Sequence, residues 1–431
     1  MDDVSNTRYD SISDDVKNAM SVQLIVRPGN NDREVIEELL APDSTTILLP
    51  GDRRGAIDVL VADAHIARRL PQLAVAAESA GIPFLVDPLT HFWQTDLRED
   101  DRLASLPYGS SKARPPEDFV DPLRRESLIA AVVDFQIEQG ATQLVPPYLY
   151  ARSPGDQSFL RSLELLESTR RRIDRLGVQL PILAILMAGH QSFAPPATWG
   201  QGIDRFARRA KDVGAGAVGL CLSPVTPRDG YAKVLATFEA MRRVKQVSEL
   251  RTYAWRSGIY GAGLTAAGID GYETGVATGE SCNVAGSLSA RKPAPRAKKT
   301  GGNAPGIFVD TLGRSLPAKV GKLLLDSRIR DRVMCDDERC CPDGPASTVS
   351  RPRQHAIRMR ARQLRSQDAL PHTSWRLHQL AKDAALGSTL VLQANQILQA
   401  AGMKERLPAG GLEAMGKVAR HLLSESAAEA A

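Results

Sequence analysis

The stretch "PILAILMAGHQSFAPPATWGQGIDRFARRAKDVGAGAVGLCLSP", Pro181–Pro224, places a helical pattern between two continuous apolar runs. The runs are Ile182–Gly189 and Ala217–Ser223, and neither alternates with polar residues. Strands that are apolar on both faces belong to a parallel sheet covered by helices. Between them, "GQGIDRFARRAKDVGA" carries apolar residues at helical spacing. Strand, helix and strand of this kind make one βαβ unit.

The same alternation extends in both directions, from Ser21 to about Gly279. Upstream lie "VQLIV" (Val22–Val26), "IDVLVA" (Ile57–Ala62), "PFLVD" (Pro83–Asp87) and "TQLVP" (Thr142–Pro146). Downstream lie "RTYAW" (Arg251–Trp255) and "GYETGV" (Gly271–Val276). The intervening helices have their own signals. "DPLRRESLIAAVVDFQIEQG" opens with Asp and Pro in cap and first-turn positions and ends on Gly140, and "DQSFLRSLELLESTRRRIDRLG" stops at Gly177. "GYAKVLATFEAMRRVKQVS" has the spacing of a further helix. Eight strands with helices over about 260 residues predict an α/β fold, a (β/α)8 TIM-like barrel. "TTILLP" (Thr45–Pro50) is a ninth apolar run that blurs the first units. A doubly wound open sheet is the competing architecture, but no G-x-G-x-x-G follows the first strand.

Around the barrel, residues 1–20 are polar and acidic and read as a disordered tail, with the barrel over 21–285. Residues 286–360 form a basic linker with a cysteine and histidine segment, and 361–431 a helical C-terminal part beyond the break at Pro371. Charge is unevenly shared: residues 281–370 hold 18 Lys and Arg against 8 Asp and Glu, while residues 1–280 hold 31 against 37. A local basic surplus favours a polyanionic partner, RNA or DNA, or else is a solvated linker. No apolar run approaches the roughly 20 residues needed to span a bilayer, so no membrane partner is expected. The odd number of cysteines argues against a disulfide framework and for a cytoplasmic protein.

In a barrel of this type the chemistry sits where the strands end. Those ends offer Arg27, Asp63 and His65, Asp87 with Thr90 and His91, Tyr148 and Tyr150, His190 and Gln191, Ser223, Arg256 and Ser257, and Glu273 and Thr274. Asp87 and Glu273, on separate strands, can divide nucleophilic and base-recognition or proton-transfer roles. Asp87 before Pro88 also suits a helix cap. His190 directly follows a buried strand, which places it in the pocket, while His65 lies within a helical pattern and reads as structural.

Three of the five cysteines fall within seven residues of "MCDDERCCPDGPASTVSRPRQH", Met334–His355, with the spacing C-x4-C-C-x13-H. Cys335, Cys340, Cys341 and His355 are ligands of the type that a structural zinc requires. A redox role and unliganded thiols are the alternatives, and because adjacent Cys340 and Cys341 point in different directions, one of the two can be a buried bystander. Cys221, in a strand, and Cys282, after the last strand, read as ordinary small residues.

A barrel followed by a basic Cys/His segment and helices resembles the tRNA-guanine transglycosylase family, including its DNA-acting 7-deazaguanine relatives. "GIDGYETGV" (Gly268–Val276) is similar in outline to the family's G-[IV]-D-x-F-D-C run, "LVDPLTH" (Leu85–His91) to its base-recognising aspartate, and "AVGLCLSP" (Ala217–Pro224) to its glycine-rich base pocket. The resemblance implies a base-exchange glycosyltransferase acting on RNA or DNA, with a free nucleobase as co-substrate and a zinc ion on Cys335, Cys340, Cys341 and His355. It also implies Glu273 as nucleophile where the family has aspartate, Asp87 as base-recognition residue, and base contacts from Gly219, Leu220, Cys221 and Leu222, with His190 nearby. The family's second base-contacting aspartate has no counterpart in "VPPYLY", and its tRNA-reading arginines have none in "TGVATGE". Two other readings are an inactive barrel retained as a zinc-containing nucleic-acid-binding subunit, and an unrelated barrel enzyme acting on a small metabolite.

Overall fold

The computed structural model describes residues 21–41, 55–115, 117–277, 280–291 and 305–430 of the chain. The N-terminal tail, the ninth apolar run and most of the basic "RKPAPRAKKTGGNAPG" stretch lie outside the described residues. Eight parallel strands form one curled sheet: β1 (Gln23–Arg27), β2 (Val59–Asp63), β3 (Phe84–Asp87), β4 (Tyr150–Ala151), β5 (Leu183–Gly189), β6 (Ala217–Ser223), β7 (Arg251–Ala254) and β8 (Gly271–Gly275). Their order is β3-β2-β1-β8-β7-β6-β5-β4, the expected α/β TIM-like arrangement.

Closure between β3 and β5 departs from the sequence reading. The expected strand at Thr142–Pro146 is reduced to single bridges, Gln143 to Leu85 and Leu144 to Ile182, and regular pairing resumes only at Tyr150. Pro146 and Pro147 follow directly, and proline has no N–H to give to a ladder. The other strands fall within two residues of their expected ends.

Alternation along each strand separates two cores. Even-numbered residues such as Leu24, Val26, Leu60, Ala62, Val86, Leu186, Leu220 and Leu222 pack outward against the helices. Odd-numbered residues such as Ile25, Val61, Leu85, Ile185, Cys221, Tyr253 and Trp255 fill the barrel interior. The helices over Pro122–Glu138 and Gln157–Leu176 are capped as their sequences suggest. Asp121 accepts from the Arg124 N–H at 2.9 Å, Asp156 accepts from the Ser158 N–H at 3.0 Å, and Gly177 takes the left-handed conformation at φ 64°.

Beyond the barrel, a hairpin of β9 (Ile307–Val309) and β10 (Arg314–Leu316) packs on the helix Pro352–Asp368. That helix runs across residue 360, and it carries His355 in its first turn while the three cysteines precede it. The helices Thr373–Ala400 and Gly410–Ala430 pack on each other, and the latter also packs on Tyr231–Ser248. No helix among the described residues is long and apolar enough to cross a membrane.

Candidate active site and metal centre

The top layer of the barrel interior is charged. Register places Asp63 beside Asp87 on adjacent strands, and Arg27 ends β1 between β2 and β8. The Arg27 guanidinium donates Nε to Glu273 Oε1 at 2.9 Å, lies 2.9 Å from Asp87 Oδ2 through Nη2, and bonds Asp63 through Nη1. Arg256 Nη2 lies 3.2 Å from Asp87 and 3.4 Å from Asp63, and its backbone N–H donates to Glu273 Oε2 at 2.9 Å. Asp87 Oδ1 also accepts from the Tyr148 hydroxyl at 2.6 Å and the Leu89 N–H at 3.0 Å. The Trp255 ring stacks against Arg27 at 5.1 Å. Asp87 is 0% exposed and Glu273 2%. The strand ends therefore bring together Arg27, Asp63, Asp87, Tyr148, Arg256 and Glu273.

Three carboxylates thus face two guanidiniums, with Arg27, Asp87 and Glu273 buried and Asp63 and Arg256 about a quarter exposed. Burial pushes the Asp87 and Asp63 pKa values up. Arg27 and then Arg256 outweigh it, aided at Asp87 by Tyr148 and the Leu89 N–H, and hold both groups below the ordinary carboxylate range. The Tyr148 hydroxyl is raised well above its usual value, first by burial and then by the Asp87 charge, so it stays a donor. Two residues of the mouth sit in the left-handed region that side chains normally avoid: Leu89 at φ 54° and Arg256 at φ 52°. Each aims its N–H at a carboxylate of the cluster, which is the sort of position where proteins retain local strain.

The mouth is partly covered. Beyond β8, Cys282 pairs with Val225 just after β6, and the chain continues into the helix Val284–Arg291. Val284 is 3% exposed among the interior residues, and its N–H donates to Ser223 Oγ at 2.8 Å. Beside this cover lies a cavity of about 330 Å³ between Gln94, Thr95, Tyr150, Arg152 and Ser289. A larger one, about 500 Å³, lies between the last barrel helix and the C-terminal helices, and no residue of the charged cluster lines it.

The remaining base-contact residues are placed differently from the expectation. Gly219 to Leu222 are paired in register with Ile185 to Ala188, and Gly219 and Leu220 also with Tyr253 and Ala254. That backbone holds the sheet together, with Leu220 and Leu222 turned outward and Cys221 inward. His190 faces the helix Tyr231–Ser248, with Nε2 3.0 Å from both the Lys233 carbonyl and Thr237 Oγ1. Burial, the largest influence there, lowers its pKa, as befits a neutral packing residue. Asp87 bonds the Leu89 N–H, as a capping reading allows, but its other oxygen faces the two arginines. The sequence gives no sign of the cover, whose apolar content is little more than Val284 and Leu288.

Cys335, Cys340, Cys341 and His355 are all buried, and their ligand atoms lie within 4.8 Å of one another. This group can hold a metal ion. Cys340 and Cys341 Sγ are 3.8 Å apart, and His355 Nδ1 is 3.5 Å and 3.4 Å from them. His355 Nε2 lies 2.9 Å from the Phe308 carbonyl on β9, a contact that makes Nε2 the protonated nitrogen and frees the Nδ1 lone pair. The Thr348 hydroxyl donates to Cys341 Sγ at 3.3 Å. The adjacent Cys340–Cys341 pair thus converges because the chain turns there: both N–H groups bond the Asp337 carbonyl, at 3.0 and 2.8 Å.

No protein-family model matches the chain, and a search of curated proteins finds no match.

Proposed function

We propose that the chain is a nucleic-acid base-exchange glycosyltransferase of transglycosylase-like chemistry, with a structural zinc ion behind the barrel. The observation that carries this reading is the buried Glu273 carboxylate held in two-point contact by Arg27 and the Arg256 N–H beside Asp87. Displacement at an anomeric carbon passes through a cation-like sugar, which an oriented carboxylate both stabilises and captures. In this scheme Glu273 attacks C1′, the bond from C1′ to the base breaks, and a second base later attacks C1′ and releases the carboxylate. Asp87, kept ionised, suits the N–H donors of a base, and Arg256 beside it can take the charge that develops on the departing one. The substrate nucleotide has to be extruded to reach so deep a site, and the cover has to move.

The metal-ligand group suits zinc. A tetrahedron with bonds of about 2.3 Å has sulfur–sulfur edges of about 3.8 Å, and Cys340 and Cys341 lie at that separation. Four protein ligands leave no open position, so the ion ties β9, the cysteine loop and the helix Pro352–Asp368 together and takes no part in the reaction.

The paired carboxylates and the partly covered mouth favour a second reading, in which the barrel binds nucleic acid without exchanging bases. Reduced, zinc-loaded protein and Glu273→Gln should be incubated with RNA or DNA and a labelled guanine-type base. Incorporation by the wild type, reduced at least ~100-fold in the variant, is expected. Equal incorporation by both would remove Glu273 from the mechanism. Steeply salt-dependent binding with no incorporation by either would establish the second reading.

A further inference from the structure

Two thiols meet at the barrel mouth outside the carboxylate cluster. Cys221 projects inward from β6, fully buried, and Cys282 stands half-buried on the segment beyond β8, with the two Sγ atoms 3.6 Å apart. The backbone is fastened at the same place. The Val225 N–H donates to the Cys282 carbonyl at 2.7 Å, and the Cys282 N–H donates to the Val225 carbonyl at 3.1 Å. Two residues on, Val284 enters the interior core and begins the covering helix. This pair sits at the joint between the barrel and its cover.

We propose that Cys221 and Cys282 form a reversible disulfide that locks the cover, Ser281–Arg291, onto β6, and that reduction of this bond frees the cover to leave the mouth. The oxidant is a low-molecular-weight disulfide. The Cys282 thiolate attacks one sulfur of that disulfide, forms a mixed disulfide and expels the first thiolate. Cys221 then loses its proton and attacks the Cys282 sulfur, expelling the second thiolate. The protein gives up two electrons and two protons, and the small disulfide becomes two thiols. Bonding brings the sulfurs to about 2.05 Å, an approach that side-chain rotation and a small shift of the segment can share.

The environments divide the roles. The Cys282 thiol is lowered chiefly by its hydrogen bond with Cys221, against burial, with help from the Arg256 charge and Ser223. Cys221 is raised well above its usual value by the same hydrogen bond and by burial. Cys282, the more accessible of the two, attacks first, and Cys221 resolves. Locking is independent of the base-exchange reading, because it follows from the position of the two thiols at the joint whatever the mouth binds.

The test uses the zinc-loaded full chain, incubated with oxidised glutathione, alkylated and mapped by peptide mass, with hydrogen exchange followed over residues 284–291. A species about 2 Da lighter, with the peptides holding Cys221 and Cys282 linked, is expected. Amide exchange in the cover should slow at least ~10-fold and recover on reduction, and Cys282→Ser should show neither change. Cys221 and Cys282 recovered as alkylated free thiols, or Cys282 trapped with glutathione but unlinked, would overturn the proposal. So would a link that leaves exchange in the cover unchanged.

Discussion

Arg27 holds the mouth together at the scale of single residues. It bonds Asp63, Asp87 and Glu273 at once, and its burial is tolerable only because those charges surround it. Removing one partner from a buried ionic group costs about 3–5 kcal/mol. Arg27→Met should therefore lower the unfolding free energy by that order in denaturant titrations, and a loss under ~1 kcal/mol would show that the carboxylates are readily hydrated. Asp87 gives the matching pH dependence. Its folded pKa lies below its unfolded one, so its contribution to stability is full above about pH 4 and is lost as pH falls through the depressed value. The stability difference between wild type and Asp87→Asn should be constant from pH 7 to about 5 and shrink below about pH 4. A difference that shrinks between pH 7 and 5 would contradict this sign. These residues were legible in the sequence because strands converge in a barrel: Arg27, Asp63 and Asp87 end their strands, Arg256 follows β7, Glu273 lies within β8 and Tyr148 just precedes β4. His190 was not, since one step of strand parity decides whether a residue faces the mouth or the helices.

At the scale of elements, continuous apolar runs were enough to find seven strands, and capping residues were enough to find the long helices. The fourth strand escaped because consecutive prolines break its ladder into isolated bridges. His355 lies in the first turn of a helix that continues to Asp368, across residue 360, so ligand and scaffold share one element. This arrangement has a consequence for stability. Removing the metal leaves three sulfurs and a histidine crowded in a buried space between the hairpin, the cysteine loop and that helix. Chelation of zinc, or Cys341→Ala, should release about one metal ion per chain and raise hydrogen exchange over 305–368 before the barrel strands open. Metal content by mass spectrometry, with exchange followed by element, checks this. Exchange that rises equally in barrel and hairpin would show that the two do not separate.

At the scale of the whole molecule, the charge count in the sequence exaggerates the basic surface. Arg360 and Arg365, two of the surplus cations, are each 1% exposed and paired with Glu280 and Asp58 inside the fold. Arg358 and Arg362 lie nearer the surface of the same helix. A helix that holds two arginines in the core anchors the C-terminal part to the barrel, while Arg362 pairs with Asp336 and Arg358 donates to the Arg339 carbonyl nearer the surface. Under the proposed function the labour would divide: the charged interior would act on a sugar carbon, while outer cations would steer a polyanion. That division stands or falls on whether Glu273 becomes bonded to nucleic acid. Reduced, zinc-loaded protein should be mixed with end-labelled RNA or DNA, quenched in detergent and separated under denaturing conditions. A labelled band that migrates with the protein, and is absent for Glu273→Gln, is the predicted result. A band of equal intensity in the variant, or none with either nucleic acid, would contradict the account.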